Sequence, residues 1–136
     1  MYGLKYVFMI LPIISPLFNI QKCEPLHSIV TSTGDGILIG LYTCVQSIDD
    51  DAFENSGLDS VSIASTVVSI GQDSFSGSSV LEKIQFFGDA PSVVGVDAFD
   101  DVETGAEAYV SNTATGFGDE GSTWNQLTIV KVGGAY

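Results

Sequence analysis

The sequence predicts a mainly β fold: a short solenoid of about three repeats, in which strands alternate with short helical turns and a capping strand closes the C-terminus. Three observations favour this fold class. A segment recurs at intervals of 22 and 24 residues (Phe53 to Phe75 to Phe99), each copy alternates apolar and polar residues, and the 136-residue chain contains 15 glycines. Short strands and frequent turns produce such a pattern, whereas long helices do not. A length of 136 residues with 45% hydrophobic residues predicts one domain with a modest core.

The first half of each repeat carries an aliphatic residue five positions before a phenylalanine, an aspartate two positions before it and a small residue directly before it. The three copies read VQSIDDDAF at 45–53, VVSIGQDSF at 67–75 and PSVVGVDAF at 91–99. Identical positions of a solenoid stack on one another, so each aliphatic or phenylalanine column forms a continuous interior. We therefore expect Phe53, Phe75 and Phe99 to lie in the core.

The second half of each repeat predicts a half-buried strand. It reads LDSVSI at 58–63 and LEKIQF at 81–86, with a weaker copy, AYV, at 108–110. Apolar residues at every second position face the interior of such a strand, and their neighbours face solvent. About three stacked units are needed before an interior of this kind is stable. The chain contains about three such units and no additional ones.

An aspartate precedes the small residue in every copy: Asp51, Asp73 and Asp97. We expect each carboxylate to cap a short helical turn, because a cap oxygen accepts hydrogen bonds from the free backbone N–H groups where a helix starts. A column of calcium sites is the alternative. Such a site needs several oxygens from one turn together with a glycine, and only residues 49–51 approach this composition. We therefore predict no metal site.

The charge of the chain excludes several classes of function. Four basic residues, all lysine, stand against 17 acidic ones, which gives a formal net charge of −13. Nucleic acids, anionic membrane surfaces and acidic substrates all need cations that this chain lacks. His27, Cys23 and Cys44 are too few ligands for an ordinary zinc site, and the motifs of serine and cysteine nucleophiles are missing. We expect no catalytic residue and no cofactor.

The N-terminal segment differs in character from the rest of the chain. Residues 1–23 place one lysine ahead of an apolar run at 6–18, which is the layout of a secretory signal peptide, but small residues at cleavage-site spacing are missing. A signal peptide and a non-native start to the chain both remain open. After export, Cys23 and Cys44 could form a disulfide, and the protein would lie outside the cell or at its surface without membrane insertion; in the cytosol they would be ordinary thiols. Residues 24–44 fit the repeat poorly, and we assign them to an N-terminal cap.

The arrangement V-x-S-I-G-x-x-A-F followed by L-x-x-V-x-I resembles the BspA-like leucine-rich repeat of bacterial and protist surface proteins. The resemblance covers residues 45–132. We assign residues 45–112 to the repeats and residues 113–136 to a C-terminal cap, which is similar to the end of such arrays. The cysteine that often follows A-F-x-x in this family is replaced by Ser56, Ser78 and Val102. The resemblance implies a non-enzymatic module that binds a protein or a cell-surface ligand. A structural terminal fragment of a longer array is the alternative.

The strand alternation also indicates which side chains meet a ligand. If the apolar residues of the strands point inward, the outward positions include the residues that we take as ligand contacts: Lys83, Gln85, Phe87, Glu107 and Tyr109. Phe87 and Tyr109 are aromatic residues on an otherwise polar surface, a composition favoured at protein interfaces. The alternative is that Lys83 and Glu107 form an ordinary cross-strand pair and that the loop at 116–123 covers Phe87.

Overall fold

The computed structural model describes the backbone of residues 37–39 and all of residues 45–133. Nine strands form within this part of the chain, and none of its residues is helical. The strands are β1 (Ile37–Ile39), β2 (Ser47–Ile48), β3 (Ser60–Ile63), β4 (Ser69–Ile70), β5 (Lys83–Phe86), β6 (Val93–Val94), β7 (Glu107–Ser111), β8 (Thr123–Trp124) and β9 (Leu127–Val132). The predictions for residues 1–23, for a disulfide between Cys23 and Cys44 and for most of the N-terminal cap lie outside the described residues.

The long sheet has six strands in the order β1-β3-β5-β7-β9-β8. Its first five strands in this order are parallel, because each occupies the same position in successive coils of a solenoid, and β8 runs antiparallel to β9. Val61, Ile84, Ala108 and Ile129 stand side by side across four strands and are all buried. The residues between the buried ones on β3, β5 and β7 are partly or fully exposed, so the predicted alternation is confirmed.

The other two sides of each coil are shorter. The strands β2, β4 and β6 form a parallel short sheet. After them, turns at 49–56, 71–78 and 95–102 stack on one another through backbone hydrogen bonds between coils. The N–H of Phe53 donates to the carbonyl of Ser74 (2.6 Å), and the N–H of Phe75 donates to that of Ala98 (2.8 Å). The core lies between these three sides.

The stacked turns are not helical, so the expected helical turns and their N-caps are wrong. Asp51, Asp73 and Asp97 have φ values of 56°, 52° and 57°, in the left-handed region, whereas an N-cap residue has an extended backbone. Aspartate and asparagine enter the left-handed region more readily than other residues that carry a side chain. The aspartate column therefore turns the chain between the short sheet and the phenylalanines.

Other aspartates supply carboxylate hydrogen bonds between coils. The N–H of Gln72 donates to Asp50 Oδ1 of the preceding coil at 2.8 Å. In the same way, the N–H of Thr115 donates to Asp89 Oδ1 at 2.7 Å, and the hydrogen bonds from Thr115 hold the pKa of Asp89 below its ordinary value. Bonds to an ionised acceptor are stronger than neutral ones. They add to the main-chain hydrogen bonds that join the coils.

The predicted phenylalanine column is confirmed. The rings of Phe53, Phe75 and Phe99 are buried and stack at centroid distances of 5.1 and 5.2 Å, with interplanar angles of 10° and 3°. Ile48 and Ile70 of the short sheet are buried beside them. These residues and the inward side chains of the long sheet form one continuous core.

The C-terminal cap closes this core with two aromatic residues. Phe117 is buried, and the ring of Trp124 lies 4.9 Å from it. The strands β8 and β9 form a hairpin in which Asn125 and Gln126 both have positive φ, as a two-residue turn of this type requires. The expected capping strand is thus β9, folded back on the short strand β8.

Candidate functional site

The candidate site lies on the outer face of the long sheet. We use this name for the side chains of β3, β5, β7 and β9 that alternate with the buried ones, together with Phe87 directly after β5. The register places Lys83 opposite Glu107 and Gln85 opposite Tyr109. Four of the five predicted contact residues therefore form two adjacent pairs on neighbouring strands. Phe87 continues the same side of β5, and its N–H donates to the carbonyl of Ile63 at 3.0 Å.

Phe87 is an exposed aromatic residue. Phe87 is 39% exposed, whereas its neighbour Phe86 and Phe117 of the cap are both buried. The loop at 116–123, which is the alternative cover for Phe87, inserts Phe117 into the core against Phe86, at a ring distance of 4.9 Å. More than a third of this large apolar residue is thus exposed on a mainly polar face.

The hydroxyl of Tyr109 is held by a carboxylate. It donates a hydrogen bond to Glu107 Oε2, two residues earlier on the same side of β7. This hydrogen bond raises the pKa of Tyr109 above its ordinary value, with smaller contributions from burial and from the charges of Glu107 and Glu82. Tyr109 therefore stays protonated over a wider pH range than a free tyrosine, and its ring is held on the outer face with its hydroxyl directed to Glu107.

Lys83 pairs with its chain neighbour. Its ammonium lies 3.2 Å from Glu82 Oε1, and both side chains are more than half exposed. An ion pair in solvent contributes little to stability. The register places Lys83 and Glu107 opposite each other on neighbouring strands. The closest charged partner of Lys83 is nevertheless Glu82, and Glu107 accepts the hydrogen bond from Tyr109.

A shallow groove borders the outer face at the start of β5 and β7. It has a volume of about 510 Å³, and its lining includes Val80, Glu82, Glu103 and the two pair-forming residues Lys83 and Glu107. Three carboxylates and one ammonium give the groove a negative charge. Val80, Glu82 and Glu103 lie before the strands, where the period-two alternation gives no indication of direction, so the sequence pattern does not identify them.

The chemistry available on the described surface is limited to carboxylates, amides, hydroxyls and two lysines, because His27, Cys23 and Cys44 lie outside it. Within residues 37–39 and 45–133, no three histidine, cysteine, aspartate or glutamate side chains come close enough to hold a metal ion. The same residues contain no apolar helix of membrane-spanning length. The outer face offers hydrogen bonds, charge and exposed aromatic area, which are the properties of a contact surface.

Comparison with known proteins gives one match. Residues 39–121, more than half of the chain, match the family model described as BspA type Leucine rich repeat region (6 copies). No curated protein and no solved structure matches the chain. The match begins a few residues before the first copy that the sequence analysis recognised, and it ends within the C-terminal cap.

Proposed function

Because the chain belongs to the BspA-type leucine-rich repeat family, we propose that it is a non-enzymatic, adhesion-type module that binds a protein or a cell-surface ligand. Repeat modules of this kind generally serve protein interactions through the extended surface that their stacked units create. We assign the ligand contacts to five residues of the outer face: Lys83, Gln85, Phe87, Glu107 and Tyr109. The observation that carries the proposal is that Phe87, 39% exposed, lies on the same mainly polar face of the long sheet as the partly buried Tyr109.

The rigidity of the long sheet supports this assignment. The strand β5 lies between β3 and β7, and β7 lies between β5 and β9, so the backbone of both contact strands is fixed on two sides. A ligand that binds there orders few protein groups, and the entropic cost of binding is correspondingly low. The Tyr109 ring is already oriented by its hydrogen bond to Glu107.

The charge of the module specifies its partner further. The groove beside the outer face adds Glu82 and Glu103 to Glu107, and the whole chain has a net charge of −13. A partner with lysine or arginine near its apolar contact would be attracted to this surface, and an acidic partner would be repelled. Because exposed charges are screened by salt, we expect association to slow as the ionic strength rises.

We also propose that the protein acts outside the cell or at its surface, after a signal peptide is cut off near residues 18–22, so that Cys23 and Cys44 both remain and form a disulfide. The intact mass, measured without reductant on protein made in a secreting host, tests this point. A cut chain in the medium with oxidised thiols supports it. An uncut chain retained inside the cells with free thiols contradicts it.

The binding proposal is tested with two substitutions on the outer face, Phe87→Ala and Tyr109→Ala. The labelled protein is applied to intact cells and to an array of purified extracellular proteins, and the ligand found is then titrated. Truncation of an aromatic contact residue should weaken binding about tenfold or more. The substitution Val68→Ala removes apolar surface from a residue that is 50% exposed and lies directly before β4 of the short sheet, and it should leave binding unchanged.

Each outcome discriminates between the two proposed roles. Loss of binding in both outer-face variants, with unchanged thermal unfolding and a normal Val68→Ala control, supports the binding module. If the wild-type chain binds nothing, or if all three variants bind as it does, the outer face is not the ligand site. In that case the structural alternative, a terminal fragment of a longer repeat array, becomes the better account of the chain.

A further inference from the structure

The two sheets end differently on the C-terminal side of the third coil. The long sheet continues beyond β7 through β9 and β8, which close it. The short sheet stops at β6, which pairs with β4 on one side and with no other strand among the described residues. The cap covers the aromatic core at this end, since the ring of Trp124 lies 6.2 Å from that of Phe99. It does not extend the short sheet.

The backbone of β6 presents a donor and an acceptor at this open edge. The N–H groups of Val93 and Gly95 donate to the carbonyls of Val68 (3.2 Å) and Ile70 (2.8 Å) on the β4 side. In a parallel ladder, alternate residues direct their N–H and C=O groups to opposite neighbours. The N–H and C=O of Val94, between these two residues, therefore point away from β4.

The side chains around this edge are apolar. Val93 is 57% exposed and Val96 is 68% exposed, the two highest values among the exposed large hydrophobic residues of the described chain. Edge strands in proteins are commonly protected by lysine, proline or a bulge, which prevent pairing with other chains. Residues 93–96 read Val-Val-Gly-Val and contain neither lysine nor proline. We call residues 93–96 the β6 edge.

The charge near the β6 edge identifies the kind of strand that fits it. Asp97, Asp100, Asp101 and Glu103 follow the edge within seven residues, and the segment 88–106 contains no lysine or arginine. A second copy of the chain would bring the same carboxylates and its own net charge of −13, which opposes self-pairing. A segment that carries lysine or arginine would be attracted instead.

We propose that the β6 edge accepts an extended, basic segment of a partner protein as an additional strand of the short sheet. The segment pairs its main chain with the N–H and C=O of Val94, places aliphatic side chains against Val93 and Val96, and directs its cationic side chains to the nearby carboxylates. This mode of recognition takes its affinity from main-chain hydrogen bonds and its selectivity from alternate side chains. The β6 edge belongs to the short sheet, so this second contact does not use the outer-face residues of the long sheet.

The experiment uses the full chain and a fluorescent peptide, acetyl-Lys-Val-Lys-Val-Lys-Val-Lys-amide, as the probe. Two protein variants carry the same change of charge: Val96→Lys at the β6 edge, and Gln46→Lys at an exposed residue directly before β2, two coils away from that edge. We expect Val96→Lys to weaken peptide binding about tenfold, because a cation now stands where the peptide's cations must approach, and Gln46→Lys to change it less than about twofold. The same peptide with N-methyl groups on alternate residues lacks the donors for pairing and should not bind.

Amide hydrogen exchange locates the contact. The Val94 N–H should exchange quickly in the free protein and become protected when the peptide is bound. Three results would overturn the proposal: binding of the N-methylated peptide as tight as that of the parent, equal weakening by Val96→Lys and Gln46→Lys, or no gain of protection at Val94. Sedimentation that shows a dimer of the free chain, dissociated by Val96→Lys, would also overturn it, because a second copy would then be the occupant.

Discussion

The aromatic residues of the repeats and those of the C-terminal cap pack in opposite ways. In the repeats, Phe53, Phe75 and Phe99 stack almost parallel, at 10° and 3°. In the cap, the planes of Trp124 and Phe117 are inclined by 64°, and those of Trp124 and Phe86 by 83°. The ring distances are nevertheless similar in the two regions, at 4.9 to 5.4 Å.

The difference follows from what relates the rings in each region. Successive coils of a solenoid are related by a translation close to the spacing of hydrogen-bonded strands, about 4.8 Å. Equivalent phenylalanines with equivalent rotamers must then be parallel and about one strand spacing apart. No equivalent coil follows the cap within the described residues 45–133, and its rings adopt the inclined and edge-to-face arrangements that isolated aromatic pairs prefer. Repetition, rather than the pair energy of the rings, determines the geometry of the column.

The largest effect that we expect tests this column at its centre. Phe75 is fully buried and contacts a ring on each side. The substitution Phe75→Ala should lower the free energy of unfolding by about 4 kcal/mol, because it removes buried area and leaves a cavity between two coils. Trp124→Ala should cost about 2 kcal/mol, since Trp124 is only partly buried and lies at the end of the stack. Urea unfolding followed by circular dichroism measures both values.

This prediction is contradicted if Trp124→Ala lowers the free energy of unfolding more than Phe75→Ala does. A larger loss for Trp124→Ala would mean that the cap, and not the stacked column, holds most of the stability of the chain. Hydrogen exchange of the Phe75 N–H, which donates to the carbonyl of Ala98, gives a second measure. In the Trp124→Ala variant this amide should remain protected.

The same contrast explains how much of the fold could be predicted. The columns, the alternation and the outward positions of Lys83 and Tyr109 followed from the sequence because equivalent residues stack on one another, so a pattern along the chain becomes a pattern across the sheet. The contact of Phe117 and Trp124 with the core occurs once in the molecule. It has no repeated signal, and only the structure shows it.

The conformation of the turns was predicted wrongly although the sequence contains an indication of it. Each repeat has two left-handed positions four residues apart, such as Asp51 and Asn55 or Asp73 and Gly77. Aspartate, asparagine and glycine are the residues that reach positive φ at the lowest cost. A helical turn has no such position in its interior. The spacing of these residue types therefore favours the observed turn over a capped helical turn.

A smaller effect tests how closely the coils approach each other. Gly95 follows β6, and a Cβ on it would lie 2.6 Å from the Cα of Gln72 in the preceding coil. The neighbouring atoms are backbone and cannot move away cheaply. The substitution Gly95→Ala should therefore lower the free energy of unfolding by about 2 kcal/mol, by forcing the two coils apart.

Gly57 provides the matched control, because a Cβ there would have no atom within 4 Å and its φ lies outside the left-handed region. Gly57→Ala should leave stability unchanged or raise it by about 0.5 kcal/mol, since alanine restricts the unfolded chain. Equal destabilisation by the two substitutions would contradict the close contact between coils at Gly95. Thermal unfolding of both variants makes this comparison directly.

The smallest effect that we expect has opposite signs at two buried serines of one turn. Both Ser74 and Ser78 are fully buried. The hydroxyl of Ser78 donates to the carbonyl of Phe53 at 2.9 Å and accepts from the N–H of Ser56 at 3.2 Å. The hydroxyl of Ser74 has no hydrogen-bond partner among the described residues, and the equivalent position is alanine in the other two copies, Ala52 and Ala98.

A buried polar group without a hydrogen-bond partner destabilises the protein by its full desolvation free energy, whereas a hydrogen bond offsets that desolvation. We therefore expect Ser74→Ala to raise the free energy of unfolding by about 1 kcal/mol and Ser78→Ala to lower it by about 1 to 2 kcal/mol. Urea unfolding of the two variants under identical conditions measures the difference. If Ser74→Ala destabilises the protein as Ser78→Ala does, the Ser74 hydroxyl has a partner in solution, and this coil is not equivalent to its neighbours at that position. If the signs are opposite, the alanines of the outer two copies are the better-packed version of the same site, and the middle copy carries a cost that its stacked neighbours offset.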